Sequence, residues 1–183
     1  FTVQVVPGAG DHLLHVLAGD PRAVAKNGRK LCEAAWQRTA PARASLVVAT
    51  IEGGPQEQTW ENLGRALFAA SRVVTDDGTI VLCTELQKKP GRAMQLLATT
   101  NQESVSNDLR RERSSDALPA SLLLQARERA RVYLLSRLDG DWVEEIGVGY
   151  VSSTEEVARL SRQHNSCILL TNAHRTVPTT VAD

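Results

Sequence analysis

Two runs, Leu46-Val47-Val48-Ala49 and Ile80-Val81-Leu82-Cys83, are apolar without alternation. A strand with one wet face alternates apolar and polar residues with period two, so a strand apolar at every position must be covered on both sides. These two segments are therefore expected as central strands with helices packed on each face. The short strand candidates, these two included, are Thr2 to Val6, Leu13 to Leu17, Leu46 to Thr50, Thr79 to Thr84, Arg131 to Ser136 and Cys167 to Thr171. Longer helical patterns alternate with them. The expected fold is α/β, a three-layer sandwich with a mainly parallel sheet flanked by helices, of Rossmann-like type.

The helices mark their own ends. Asp20-Pro21 places a side-chain acceptor ahead of a residue whose missing N–H costs nothing at the first helical position, so a helix should run to about Gln37. A second should begin between Gln56 and Thr59 and reach Ser71, with Trp60, Leu63, Leu67 and Ala70 on one face. Pro119 starts another, and Ser153-x-x-Glu156 forms a capping box ahead of a helix toward Gln163. Asn101 to Ser115 is polar and reads as a solvated helix or loop. With 183 residues the chain amounts to about one domain on a prior of roughly 150 residues each. Residues 1–174 are expected as a single α/β domain, and residues 175–183 as a flexible C-terminal tail, since they hold little that is apolar. The opening Phe1, with no initiator methionine or leader pattern, suggests a piece of a larger protein.

Charge and cysteine usage narrow the function classes. Lys plus Arg and Asp plus Glu each number 21, so no net charge advertises a nucleic-acid partner, and no apolar run is long enough for a membrane span. Cys32, Cys83 and Cys167 are far apart, which fits reduced thiols in a cytoplasmic protein better than a zinc site or a disulfide framework.

In an open α/β sheet, ligands bind beyond the carboxyl ends of the strands. One segment fits that rule best: the strand ending at Thr50 leads into Glu52-Gly53-Gly54-Pro55-Gln56-Glu57-Gln58 and then a helix. Two glycines let the backbone turn sharply and approach a ligand, while the helix start offers unpaired N–H groups to an anion. The dipole alone contributes only about 0.3–1 kcal/mol, so Asn62 or Arg65 would have to add selectivity. The same pattern also serves simply to close a βα turn.

The run from Ala49 through Gly91, with Glu52-Gly53-Gly54-Pro55, Gln58, Asp77-Gly78-Thr79-Ile80 and Glu85 to Gly91, resembles the C-terminal domain of the nickel-pincer-nucleotide lactate racemase family. The opening Phe1 to Val6 and Leu17-Ala18-Gly19-Asp20 is similar to the start of that domain. The resemblance implies an isomerase that racemises or epimerises a small-molecule 2-hydroxy acid by transient hydride transfer to a nickel-pincer nucleotide. It implies too that the cofactor-anchoring lysine, nickel-ligating histidine and acid/base histidines lie in an N-terminal domain, the partner across the cleft. No cofactor would then be bound by this fragment alone, no catalytic or metal-ligating residue falls within it, and the fragment is expected to be inactive. Substrate contacts are expected from Gly53, Gly54, Gln58, Glu61, Asn62 and Arg65. Where the lactate-specific form has Tyr-Gln and a lysine three residues on, this chain has Glu61, Asn62 and Arg65, which points to a more polar substrate than lactate.

Other residues carry weaker signals. His12 and His15 would face opposite sides of a strand, and His164 would cap a helix C-terminus. His174, Glu85 and Lys88 fall in loops at the same sheet edge as Gly53, while Cys83 lacks an identifiable base. Trp36, Trp60 and Trp142 read as core or interface, since no basic stripe accompanies them. A second reading of the chain is a non-catalytic α/β module that binds an anionic metabolite or a partner protein through that edge.

Overall fold

The computed structural model describes residues 1–10, 12–99 and 102–181. The chain opens with β1 (Thr2–Pro7), β2 (Leu13–Gly19), α1 (Pro21–Trp36), β3 (Gln37–Ala40), β4 (Ala44–Thr50), α2 (Trp60–Val73) and β5 (Val74–Cys83). It continues with α3 (Arg92–Thr99), α4 (Gln102–Arg111), α5 (Ala117–Arg129), β6 (Arg131–Leu135), α6 (Gly140–Glu145), β7 (Gly149–Val151), α7 (Thr154–Ser161), β8 (Cys167–Leu170) and β9 (Val177–Thr180).

Five of the strands form a wholly parallel sheet in the order β7-β6-β5-β4-β8. The two unalternating runs sit side by side at its centre, with Val47 opposite Ile80 and Val48 opposite Val81. From β4 to β7 the chain steps in one direction across the sheet, and it then returns to place β8 beyond β4. Right-handed crossovers put α2, α5 and α6 on one face and α7 on the other. The side chains agree. Val47, Ala49, Ile80, Leu82, Val132 and Leu134 enter the main core with Leu63, Leu67, Leu123 and Val143. Leu46, Val48 and Val81 form a small second cluster, against which Val157 and Leu160 of α7 pack. Burying one such aliphatic side chain stabilises by about 1.5–3 kcal/mol relative to leaving it exposed, so the larger cluster dominates.

Helix α2 begins where Thr59 accepts the Asn62 N–H at 3.2 Å. Its inner stripe of Trp60, Leu63, Leu67 and Ala70 is buried, as the spacing predicts. Gly64 faces α5 so closely that a Cβ there would lie 2.8 Å from Cα of Pro119. Alanine favours helix over glycine by about 1 kcal/mol, but overpacking against backbone costs about 1–3 kcal/mol. Gly64→Ala is therefore expected to lower stability. A urea midpoint at or above that of the wild type would contradict the helix–helix contact.

Several elements differ from the sequence expectation. The β1–β2 pair is an antiparallel hairpin of its own, packed on α1 rather than joined to the main sheet, with Val6 and Val24 buried. Within the stretch expected as a flexible tail, residues 177–180 form β9, which pairs in parallel with β3. Arg72 Nε reinforces β9 by donating to the Pro178 carbonyl at 3.2 Å. Helix α4, in the polar segment, is amphipathic and buries Val105 and Leu109. Among the described residues, no helix is long and apolar enough to cross a membrane.

Candidate functional site

At the carboxyl edge of the sheet, the loops after β4, β5 and β6 enclose a cleft of about 860 Å³ bordered by Gly53, Gly54, Gln58, Glu85, Lys88 and Arg137. That volume lies within the range of about 300–1,000 Å³ common for small-molecule sites. Gly53 has φ of 106°, and a Cβ there would meet Cγ of Glu57 at 2.8 Å, so this turn requires glycine. The amide groups of Gly53 and Gly54 donate to no described residue, which leaves two adjacent N–H groups beside the cleft.

Gln58 is fully committed to holding the cleft together. Its Nε2 donates to the carbonyls of Ile51 and Gly53, both at 3.2 Å, and its Oε1 accepts from Thr84 Oγ1 at 2.6 Å and from the Glu85 amide at 2.9 Å. One side chain thereby fixes the glycine loop against the loop after β5. The third loop is tied on by Arg137, whose amide donates to the Leu86 carbonyl and whose Nε donates to Glu85 at 2.6 Å. Trp60 anchors the rim from below, its indole N–H shared between the carbonyls of Lys88 and Lys89. It also meets Trp142 edge to face, the ring centroids 5.7 Å apart.

The other expected site residues lie behind the loop or outside the cleft. Asn62 is buried, and its Nδ2 donates to the Glu57 carbonyl at 2.9 Å and to Glu57 Oε2 at 3.1 Å. Glu61 and Arg65 pair with each other along the exposed side of α2. An exposed pair of this kind contributes about 0–1 kcal/mol. Arg65 borders a separate shallow groove, shared with His174 and Arg175. The structure thus brings Gly53, Gly54 and Gln58 together at the cleft and sets Glu61, Asn62 and Arg65 apart from it.

Behind the glycine loop lies a polar knot that sequence reasoning did not find. Glu57 accepts from Asn62, and it accepts from Arg175 Nη2 at 2.6 Å. The other end of Arg175 donates to the carbonyls of Gly8 and Gly10 at the hairpin tip. His174, with its side chain only 2% exposed, lies 3.3 Å from Glu57 Oε2 but out of line for a hydrogen bond, and neither ring nitrogen has a hydrogen-bond partner. Burial holds its pKa below the ordinary histidine value, helped by the positive charges of Arg175 and Arg65 and opposed by the Glu57 carboxylate. In the unfolded chain this histidine takes a proton below about pH 6.5, while in the fold it stays neutral to lower pH. The stability it contributes is present above that pH and is lost as pH falls below it. Wild-type unfolding free energy should therefore drop more steeply below that pH than that of His174→Gln, as measured by urea titration at several pH values; parallel slopes would refute this.

The remaining candidates are structural. His12 and His15 are exposed on the hairpin, and burial pushes the Cys83 thiol up, away from the reactive thiolate.

Parallel sheet, helices on both faces and a carboxyl-edge cleft beside a double glycine define an α/β domain of the Rossmann-like class, which takes its ligand where the strands end. Its fold is that of part of the lactate racemase apoprotein from Thermoanaerobacterium thermosaccharolyticum: TM-score 0.80, 14% identity, covering 97% of this chain and 45% of that one. A protein of Thermotoga maritima known from its crystal structure is also similar, with TM-score 0.61 and 10% identity, covering 87% of this chain and 42% of that one. No family model and no curated protein matches the sequence. At these identities the likeness is one of fold, and the chain spans less than half the length of either structure.

Proposed function

We propose that this chain forms one wall of the substrate cleft in a lactate racemase-like isomerase that racemises or epimerises a 2-hydroxy acid. The observation that carries the reading is the Gly53-Gly54 turn, which borders the carboxyl-edge cleft of a domain with this fold and whose two amides are uncommitted among the described residues. Those amides and the N-terminus of α2 would receive the substrate carboxylate. Gln58 would hold the turn at the right distance from Glu85, and Arg65, if the second domain closes over α2, would contribute a charge from the rim.

Among the described residues, no group of three His, Cys, Asp or Glu side chains could hold a metal ion. In this reading the nickel-pincer nucleotide and the proton-transferring groups belong to an N-terminal domain of the same cytoplasmic polypeptide, and the isolated chain is inert.

The test is a chiral assay of the whole polypeptide, loaded with the cofactor, on lactate, malate and gluconate, beside the isolated chain. Interconversion by the former alone is expected. No turnover of any 2-hydroxy acid overturns the reading, and turnover by the isolated chain overturns the division of labour. Unchanged kinetics in Arg65→Ala would remove Arg65 from the site.

A further inference from the structure

The three loops bring different groups to the cleft. The loop after β4 brings the free amides of Gly53 and Gly54. The loops after β5 and β6 bring Lys88 and Arg137, two cations each with a fixed backbone: Trp60 Nε1 holds the Lys88 carbonyl at 3.1 Å, and the Arg137 amide is bonded to Leu86 at 3.0 Å. The Nζ of Lys88 has no partner among the described residues. Arg137 binds Glu85 through Nε alone, so its two terminal nitrogens, the ends of the fork that grips planar or tetrahedral oxyanions, are uncommitted. Glu85 neutralises one of the two positive charges, and these two loops keep a net charge of one with donors from two side chains.

We propose that the cleft takes a 2-hydroxy acid carrying a second anionic group, with its carboxylate at the glycine turn and the second group, a carboxylate or a phosphate ester, between Lys88 and Arg137. This rests on the reading of the cleft as a 2-hydroxy-acid site and names the substrate class for it. Lys88 Nζ and the two terminal nitrogens of Arg137 are donors with no partner among the described residues, and both side chains border the same cleft as the glycine turn. Selectivity would come from the charge-assisted bonds that a second anion makes with these two cations and that a methyl group cannot make.

The experiment is calorimetric titration of the whole polypeptide with lactate, malate and 3-phosphoglycerate, for wild type and for the Lys88→Gln, Arg137→Gln double variant. Both positions are exposed, so the variant is expected to melt like wild type. Malate or 3-phosphoglycerate should bind at least about 10-fold more tightly than lactate. That advantage over lactate should vanish in the double variant, since removing charge-assisted bonds costs about 10- to 100-fold. Whichever of the two ligands shows the advantage identifies the second group as carboxylate or phosphate. If all three ligands bind alike, or the variant binds them as wild type does, the second-anion site is overturned even where lactate is turned over and the broader reading stands. If malate or 3-phosphoglycerate binds through Lys88 and Arg137 while no 2-hydroxy acid is isomerised, the anion site stands and the isomerase reading falls. Absence of binding by all three overturns both.

Discussion

Replacing Gln58 with leucine is expected to destabilise the domain by about 2–4 kcal/mol and to separate the loops that border the cleft. Leucine keeps roughly the volume of the side chain but none of its polar atoms. Four groups lose their partner at once: the Ile51 and Gly53 carbonyls, the Thr84 hydroxyl and the Glu85 amide. Each buried orphan costs about 1–3 kcal/mol, less where water can enter, and the cleft lets water reach the Gly53 side. The full sum is therefore not expected. Gln58→Glu sharpens the test, because it preserves the acceptor toward Thr84 and Glu85 but turns two donors into an acceptor facing two carbonyls. Its loss of stability should grow as pH rises and the carboxylate ionises. Denaturant unfolding checks both variants; a Gln58→Leu midpoint within error of wild type would show that the bracket carries no energy.

Leu82→Ala should cost about 3–5 kcal/mol. Leu82 is 1% exposed on β5, flanked in the sheet by Ala49 of β4 and Leu134 of β6, and covered by the α2 and α5 side of the core. Neighbours on a parallel sheet cannot collapse inward, since their spacing is set by backbone hydrogen bonds, and the cavity stays open. For a chain of this size 1 kcal/mol shifts the melting temperature by about 2–4 °C, so a fall of about 6–20 °C is expected. Leu169→Ala is the matched control. Leu169 is 65% exposed on edge strand β8, and its truncation should move stability by less than about 0.5 kcal/mol. Equal effects at the two positions would mean that the core is misassigned.

The central sheet was legible because Leu46 to Ala49 and Ile80 to Cys83 carry a local signal, apolar on both faces, that only one kind of strand satisfies. Helix starts at Asp20, Thr59 and Ser153 were legible for a similar reason: a cap is a contact between residues two or three apart. Val177-Pro178-Thr179-Thr180 gave no such signal. Its strand exists through pairing with Gln37 to Ala40, some 140 residues away in sequence, and neither partner alternates or is apolar enough to announce itself. The site divides along the same line. The double glycine could be read from the chain, whereas the Gln58–Thr84 and Glu57–Arg175 contacts join loops that only the completed sheet brings together. Asn62 and Arg65 belong to the helix that was expected, yet a helix's face is chosen by what packs beneath it, and here their partners are Glu57 and Glu61.

The uneven covering of the sheet sets an order of opening. Helix α7 buries none of its residues fully, and β8, which follows it, is a four-residue edge strand. Amide exchange at that corner is expected to need only a fraction of the global free energy, and exchange in β5 and α2 to require complete unfolding. Because β8 leads directly into the loop of Asn172 and Arg175, opening there would slacken the grip on Glu52 and Glu57, which flank the glycine turn. Opening of the thin side is thus expected to reach the cleft through Glu57, while the Gln58 bracket ties the same loops to the thick side.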